Sequence, residues 1–467
     1  MQEIDMNEAQ YQHKLEELFV RFPSVQKAGF GDAYKPGLAH MEEFNALLGH
    51  PDRAYRTIHV AGTNGKGSVA NMLASALAAS GLKVGLYTSP HILDFRERMR
   101  ILDAGSDGPA RLVGRQEVWD FITRWEETFD RLDLSFFEIT TGLAFKWFAD
   151  EEVDLAVIEV GLGGRLDSTN VITPEVSVVT SIGLDHCAML GDTRAAIAGE
   201  KAGIFKPGIP AVIGSRDEET APVFGARAAA VGCPLIFADD YSGETEIPDD
   251  MDLHGEWQAE NLRTVLTVLS VMGIEVTETI SGAIAHTARR MDFHGRWEML
   301  RRDPDMLCDI GHNPPALKRN FAELERYLAE GRYDSLIMVY GVMADKDLDG
   351  IIPLMPRKAT WIAVAPDTQR SMKAEDLFRR LDVSLPGRVI FGGTVADGLA
   401  IALDIASKGS TARSEAAIRK TAPSGIADPT RVKAASDLLP NQDIGKEKPL
   451  IYVGGSTFVV SEAIAAL

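Results

Sequence analysis

The stretch Gly62-Thr63-Asn64-Gly65-Lys66-Gly67-Ser68 decides how this chain of 467 residues is read. An apolar run, Thr57-Ile58-His59-Val60-Ala61, leads into it, and a helical pattern over residues 69–79 leads out. A strand that breaks into a glycine-rich turn and then a helix lets backbone N–H groups cradle phosphates. Lys66 puts a cation on the outer phosphates, and Ser68 offers a hydroxyl to a phosphate-bound magnesium ion. The spelling departs from G-x-x-x-x-G-K-[ST], because Gly67 separates the lysine from the hydroxyl residue. The strand before, the helix after and the Lys/Ser pair outweigh that departure. A nucleotide site is expected here.

On either side of this stretch, strands and helices alternate. Residues 83–88, 155–160, 175–182 and 210–213 read as strands, and 117–131, 139–149 and 193–205 as helices. Fully apolar runs with helices between them predict a parallel sheet covered on both faces. Ahead of the loop, Leu15, Leu18, Phe19 and Phe22 fall at helical spacing. The segment Asp292-Phe293-His294-Gly295-Arg296 reads as a hinge, after which the alternation restarts. Strands are expected at 306–310, 335–340, 361–365, 389–391 and 449–453, with helices at 314–328, 373–381 and 458–466. The fold class expected is therefore α/β. A P-loop-type larger domain, with a helical N-terminal segment and a mostly parallel sheet, takes 1–296; a smaller Rossmann-like α/β domain takes 297–467. The polar stretch near 407–448 reads as a surface insertion.

Composition narrows the function. The length exceeds one ordinary core, and 45% hydrophobic with 25% charged residues is the balance of a soluble globular protein. A formal net charge of −20 with no basic patch argues against nucleic-acid binding. Any phosphate site must then be made positive locally. Cys187, Cys233 and Cys308 match no zinc or disulfide spacing, which points to a reduced, cytoplasmic home. No apolar run approaches the ~20 residues of a membrane span. The N-terminus, Met1-Gln2-Glu3-Ile4-Asp5, is acidic where a secretory signal is basic.

Several polar residues stand at strand ends. Glu159 closes an apolar strand just before Gly161-Leu162-Gly163-Gly164-Arg165-Leu166-Asp167, where open α/β sheets bind ligands. It is either a magnesium ligand or a structural carboxylate paired with Arg165. His186 follows the next strand and reads as a ligand or a hydrogen-bonded bystander. Lys201 lies mid-helix, where local pattern alone favours a surface salt bridge. Asn261 and Arg296 pass as ordinary polar residues. In Asp309-Ile310-Gly311-His312-Asn313-Pro314, either Asp309 or Asn313 could cap the helix that follows.

Taken together, these segments resemble the folylpolyglutamate synthase/dihydrofolate synthase family, a branch of the Mur ligase superfamily of ATP-dependent amide-bond ligases. The matching stretches are 59–68, 88–91, 95–101, 135–138, 159–170, 180–186, 200–205, 295–296, 309–314, 341–347 and 453–458, in order along nearly the whole chain. The resemblance implies an ATP site on the larger domain, facing the smaller one across a cleft. Gly65, Lys66, Gly67 and Ser68 would hold phosphates, with Asn261, Arg296 and Asp309 as further ATP contacts. Ser89, Glu159 and His186 would ligate magnesium, two ions being expected, together with a carbamate on Lys201. The pterin side would comprise Gly37, Leu38, Ala39 and His40, then Ser135, Phe136, Phe137 and Glu138, and Leu166, Asp167 and Ser168. Family members often carry an arginine or an acidic residue where this chain has Ala39-His40.

The implied reaction phosphorylates a pteroate or folate carboxylate with ATP, and the amine of L-glutamate then displaces phosphate. Lys66, Lys201 and His312 are the catalytic candidates. No redox cofactor, nucleic acid or membrane partner is expected, and the protein is expected to be a monomer. Two rivals stay open: a cell-wall Mur-type amino-acid ligase, and an ATP-binding switch that makes no amide. Against the first, 61 residues before Gly62 are too few for a UDP-binding domain plus a strand.

Overall fold

The computed structural model describes residues 7–22, 35, 37–243, 248–408 and 448–467. The expected insertion near 407–448 thus lies almost wholly outside the described residues. The chain falls into two compact units, Met1–His294 and Gly295–Leu467.

The first unit is built on an eight-stranded sheet. Its strands are β1 Arg56–Ala61, β2 Val84–Tyr87, β3 Met99–Leu102, β4 Arg111–Leu112, β5 Leu155–Glu159, β6 Val176–Val179, β7 Ala211–Ile213 and β8 Leu235–Phe237. They lie in the order β4-β3-β2-β5-β1-β6-β7-β8. From β2 to β8 all pairs are parallel, while β3 and β4 add an antiparallel edge that periodicity did not suggest. Successive side chains point to opposite faces. Leu86 and Val157 pack under the helix Lys66–Ala79, whereas Tyr87 and Ile158 pack against the helix Phe136–Asp150. The Lys66–Ala79 helix is rich in alanine and buried all round from Gly67 to Ala78, which explains its missing amphipathic stripe. Its register at the sheet centre aims its N-terminus at the end of β1.

The N-terminal helix Glu8–Arg21 begins at an Asn7/Gln10 capping box and buries Tyr11, Leu15 and Leu18. Lys14 meets Glu126 at 2.6 Å and Arg115 meets Glu8 at 2.8 Å, tying it to the helix Arg115–Arg131.

The second unit holds β9 Glu298–Arg301, β10 Asp305–Asp309, β11 Ser335–Tyr340, β12 Thr360–Ala365, β13 Val389–Thr394 and β14 Pro449–Gly454. Their order is β13-β12-β11-β14-β10-β9, parallel except for β9. Trp361 sits edge-on to Tyr340 and Phe321, with ring centres 5.4 and 5.8 Å away, and fixes the core beside the helix Pro314–Ala329.

Candidate active site

The loop after β1 is held open by its neighbours. Gly65 has φ +87°, and a Cβ there would stand 2.4 Å from Asn261 Oδ1. At Gly62, with φ +151°, a Cβ would lie 1.9 Å from Thr180 Oγ1. No side chain fits either position. The residues after β6 then tie the loop down. Thr180 Oγ1 and Ser181 Oγ donate to Asn64 O at 2.6 and 2.9 Å, and Thr63 N donates to Ser181 O at 2.7 Å. Gly183 N completes the strap by donating to Thr63 Oγ1 at 3.0 Å. Lys66 and Ser68 enter the first turn of the helix, whose N-cap Gly65 supplies no side-chain acceptor. The first amides of that helix are thus left for a ligand, with the favourable end of its dipole.

Four neighbouring strands, β2-β5-β1-β6, end on this edge of the sheet. Ser89 follows β2, Glu159 closes β5, the loop follows β1, and His186 follows β6. Glu159 Oε2 accepts from Ser89 N at 3.1 Å. Arg165 pairs instead with Glu200 at 3.0 Å, so the structural pairing of Glu159 with Arg165 is not realised. His186 has φ 52° and stands at the N-cap position of the short helix Cys187–Leu190 without a side-chain capping bond, its ring Nε2 3.7 Å from Asp185 Oδ2.

Lys201 is the residue whose local reading fails. It ends the helix Arg194–Lys201 and is 4% exposed, not a surface lysine. Burial and the nearby Lys66 ammonium lower its amine to about 7, against the opposing pull of Asp185 and Asp167. Asp185, which precedes His186 after the strand, acts electrostatically on Lys201 only because the two are brought together in the fold.

On the pterin side, Leu38 and Ala39 open the helix Ala39–Leu47, preceded by Gly37. Ser135 and Glu138 form a reciprocal capping box: Ser135 N donates to Glu138 Oε2 at 2.7 Å, and Glu138 N to Ser135 Oγ at 3.2 Å. Phe136 is buried in the core, whereas Phe137 is half-buried, its ring centre 5.9 Å from that of Tyr87. Leu166 precedes the buried Asp167, which caps the turn Ser168–Val171. Asp167 accepts from Leu162 N at 2.8 Å and Thr169 N at 3.0 Å, and Thr169 Oγ1 lies 2.8 Å from His59 Nε2. Burial raises the Asp167 carboxyl against these hydrogen bonds.

Within the second unit, Asp309 is a buried hub. It accepts from Gly311 N and Asn320 Nδ2, both at 2.7 Å, and from Trp297 N at 3.0 Å. Burial raises its carboxyl, with Asn320, Gly311 and Arg296 opposing. The helix Pro314–Ala329 is capped by Asn313, whose Oδ1 accepts from Ala316 N at 3.0 Å, so the choice between the two capping candidates falls on Asn313. His312 Nδ1 lies 3.1 Å from Ile310 O. Arg296 and Asn261 each make a local contact, to Gly295 O at 3.3 Å and to Gln258 Oε1 at 2.8 Å.

Among the described residues, no cluster of three or more His, Cys, Asp or Glu stands ready for an ion. Ser68, Ser89, Glu159 and His186 belong to segments at the C-terminal ends of adjacent strands and offer few donors. Such a set suits Mg²⁺, which keeps waters and takes its remaining oxygens from substrate phosphates. No helix among the described residues is long and apolar enough to cross a membrane.

Comparison with known proteins agrees with this architecture. Residues 295–412 match the family described as Mur ligase, glutamate ligase domain. Folylpolyglutamate synthase of Lacticaseibacillus casei is 34% identical over 347 residues, which cover 70% of this chain and 80% of that protein. The chain spans about half, 49%, of a Halobacterium salinarum relative named a probable bifunctional folylpolyglutamate synthase/dihydropteroate synthase, at 32% identity over 92% of this chain. Mycobacterium tuberculosis folylpolyglutamate synthase complexed with ADP matches with a TM-score of 0.79 and 26% identity over 98% of both chains. A bifunctional folylpolyglutamate synthase/dihydrofolate synthase with Mn, AMPPNP and L-glutamate bound matches at 0.71 and 26%, over 93% of this chain and 94% of that one. The chain belongs to the folylpolyglutamate synthase/dihydrofolate synthase family, ATP-dependent ligases that attach glutamate to folate.

Proposed function

We propose that this protein joins L-glutamate to the carboxylate of a pteroate or folate through an acyl phosphate. An acid oxygen attacks the γ-phosphorus of ATP and releases ADP. The glutamate amine then attacks the acyl carbon, phosphate leaves, and an amide remains. A carboxylate is a poor electrophile, so activation by phosphate is the chemical need that the nucleotide meets. No protein nucleophile is required. The observation that carries this reading is the run of adjacent strand ends β2-β5-β1-β6, which brings the glycine-rich loop and Glu159 to one sheet edge, with Ser89 and His186 in the segments that follow β2 and β6.

In this reading Gly65, Lys66, Gly67 and Ser68 hold the phosphates, with Asn261 behind the loop. Lys66 spreads positive charge onto the transferring phosphoryl group. Mg²⁺, when bound, would neutralise charge on the phosphates, and Ser89, Glu159 and His186 are the residues to hold it. Lys201 carries a carbamate: carbon dioxide bonds to its neutral Nζ, one proton leaves, and a buried cation becomes an oxygen donor. Support for this comes from its burial among Lys66, Asp185 and Asp167. Gly37, Leu38, Ala39, Phe137, Leu166 and Ser168 are assigned to the pterin side, while Ser135, Glu138 and Asp167 shape its backbone. Arg296, Asp309 and His312 are assigned by resemblance to the second unit's share of the reaction. Dihydrofolate synthase and folylpolyglutamate synthase activities are separated by assaying dihydropteroate and tetrahydrofolate, each with Mg-ATP and glutamate. Amide formed from either acid supports the ligase; ADP release that ignores glutamate overturns it.

A further inference from the structure

Arg98 ends the short turn Phe95–Arg98 just before β3 and is only 3% exposed. Its Nε donates to His91 Nδ1 at 2.9 Å, and its guanidinium carbon stands 5.2 Å from the centre of the Phe136 ring. No carboxylate among the described residues forms an ion pair with it. The polar groups around it are committed elsewhere. Glu97 accepts from the backbone N–H of Ile92, Leu93 and Asp94, each at 2.7 Å. Glu159 Oε2 accepts from Ser89 N at 3.1 Å. The Tyr87 hydroxyl bonds to Thr140 and Thr141 at 2.9 and 3.2 Å. Arg98 Nη1 and Nη2 donate to nothing among the described residues, yet neither is sealed from solvent.

A guanidinium cannot shed its proton, so a buried one without a carboxylate is a standing cost unless a partner arrives. With Nε occupied by His91, the exposed edge is the end-on pair of Nη groups, which matches the two oxygens of a carboxylate. Two observations say which anion this is. Arg98 stands among Tyr87, Phe95 and Phe136, on the sheet face opposite the Lys66–Ala79 helix that opens at the phosphate loop. It also lies within electrostatic reach of Glu159, at the edge where phosphoryl transfer is proposed. Once a divalent cation engages Glu159, the charge of Arg98 is left for an incoming acid.

We propose that Arg98 grips the carboxylate of the acceptor acid through Nη1 and Nη2 and presents it for phosphorylation. This rests on the ligase reading and names the residue that selects an acid over its uncharged analogues.

The test compares binding of pteroate and of its carboxamide analogue, by calorimetry without nucleotide, to wild type, Arg98→Gln and Arg98→Lys. Wild type is expected to prefer the acid by at least about 30-fold, the scale of a bidentate charged contact. Arg98→Gln should erase that preference by losing acid affinity, while the carboxamide stays within about twofold. Arg98→Lys, which keeps the charge without the fork, should fall between them. Should Arg98→Gln fail to fold by circular dichroism, Arg98→Lys carries the test, and an unchanged preference in it overturns the assignment. Equal loss of both ligands in Arg98→Gln, or a preserved preference, overturns it as well. A wild type that binds acid and carboxamide alike also overturns it, whether or not amide is made. The ligase reading fails separately, if wild type forms no amide from pteroate or folate and glutamate.

Discussion

At Lys201 the amine is held near 7 by burial and by Lys66, so about half of it is neutral at pH 7. An exposed lysine would be neutral in about one part in a few thousand. The neutral form is the one that captures carbon dioxide, so carbamate should increase as pH rises from 6 to 8. A ¹³C signal from labelled bicarbonate checks this: it should grow over that range and vanish in Lys201→Ala, whose turnover should drop about 100-fold. A signal that ignores pH, or persists in the variant, contradicts the carbamate. The same depression affects folding. Between about 7 and the ordinary 10.5 the unfolded chain binds this proton and the folded one does not. Stability without bicarbonate should therefore rise with pH through that window, and Lys201→Met should flatten the slope in urea melts. None of this was legible locally. Glu200-Lys201-Ala202 reads as a surface helix, and only the tertiary fold buries it. Arg98 was opaque for the same reason, since an Arg-Glu-Arg run looks solvated until the loop 91–94 draws Glu97 to its own amides.

Elements were more readable than side chains. The apolar runs at β1, β5 and β11 and the helix after the phosphate loop followed from their period and length. The antiparallel edge β3-β4 did not, because strands this short carry little periodic signal. Nor could any local pattern give the strand order that sets Glu159 beside the phosphate loop. Ser135-Phe136-Phe137-Glu138 spells a capping box, which accounts for the serine and the glutamate structurally. Ser135→Ala should accordingly cost about 1 kcal/mol of stability in denaturant melts, with little change in the KM for the acceptor. A change confined to KM would restore a direct contact. In the loop itself, Gly65→Ala forces a positive φ on an L residue and drives a methyl into Asn261. Its ATP affinity should weaken at least about 10-fold by calorimetry, out of proportion to any loss of thermal stability. Affinity equal to that of wild type would mean that the loop does not hold phosphates.

For the whole molecule, the charge of −20 is compatible with the proposed phosphate site because the positive field there would be local, made by one helix N-terminus, Lys66 and metal when bound. Chelating divalent ions should abolish turnover, and added Mg²⁺ should restore it; activity that survives chelation would remove the metal from the account. Arg296→Ala should slow turnover at least about 10-fold while leaving the melting temperature nearly unchanged, if its charge serves the transferring phosphoryl group and not the fold. Equal losses of stability and rate would make it structural. The central claim is that ATP is spent to make an amide. It is tested most directly by incubating the full chain with Mg-ATP, L-glutamate and dihydropteroate or tetrahydrofolate, and following ADP release beside product mass. The account predicts one ADP per glutamyl amide formed, with neither produced when acid or amino acid is omitted; ADP release without glutamate, or with no amide, would contradict it.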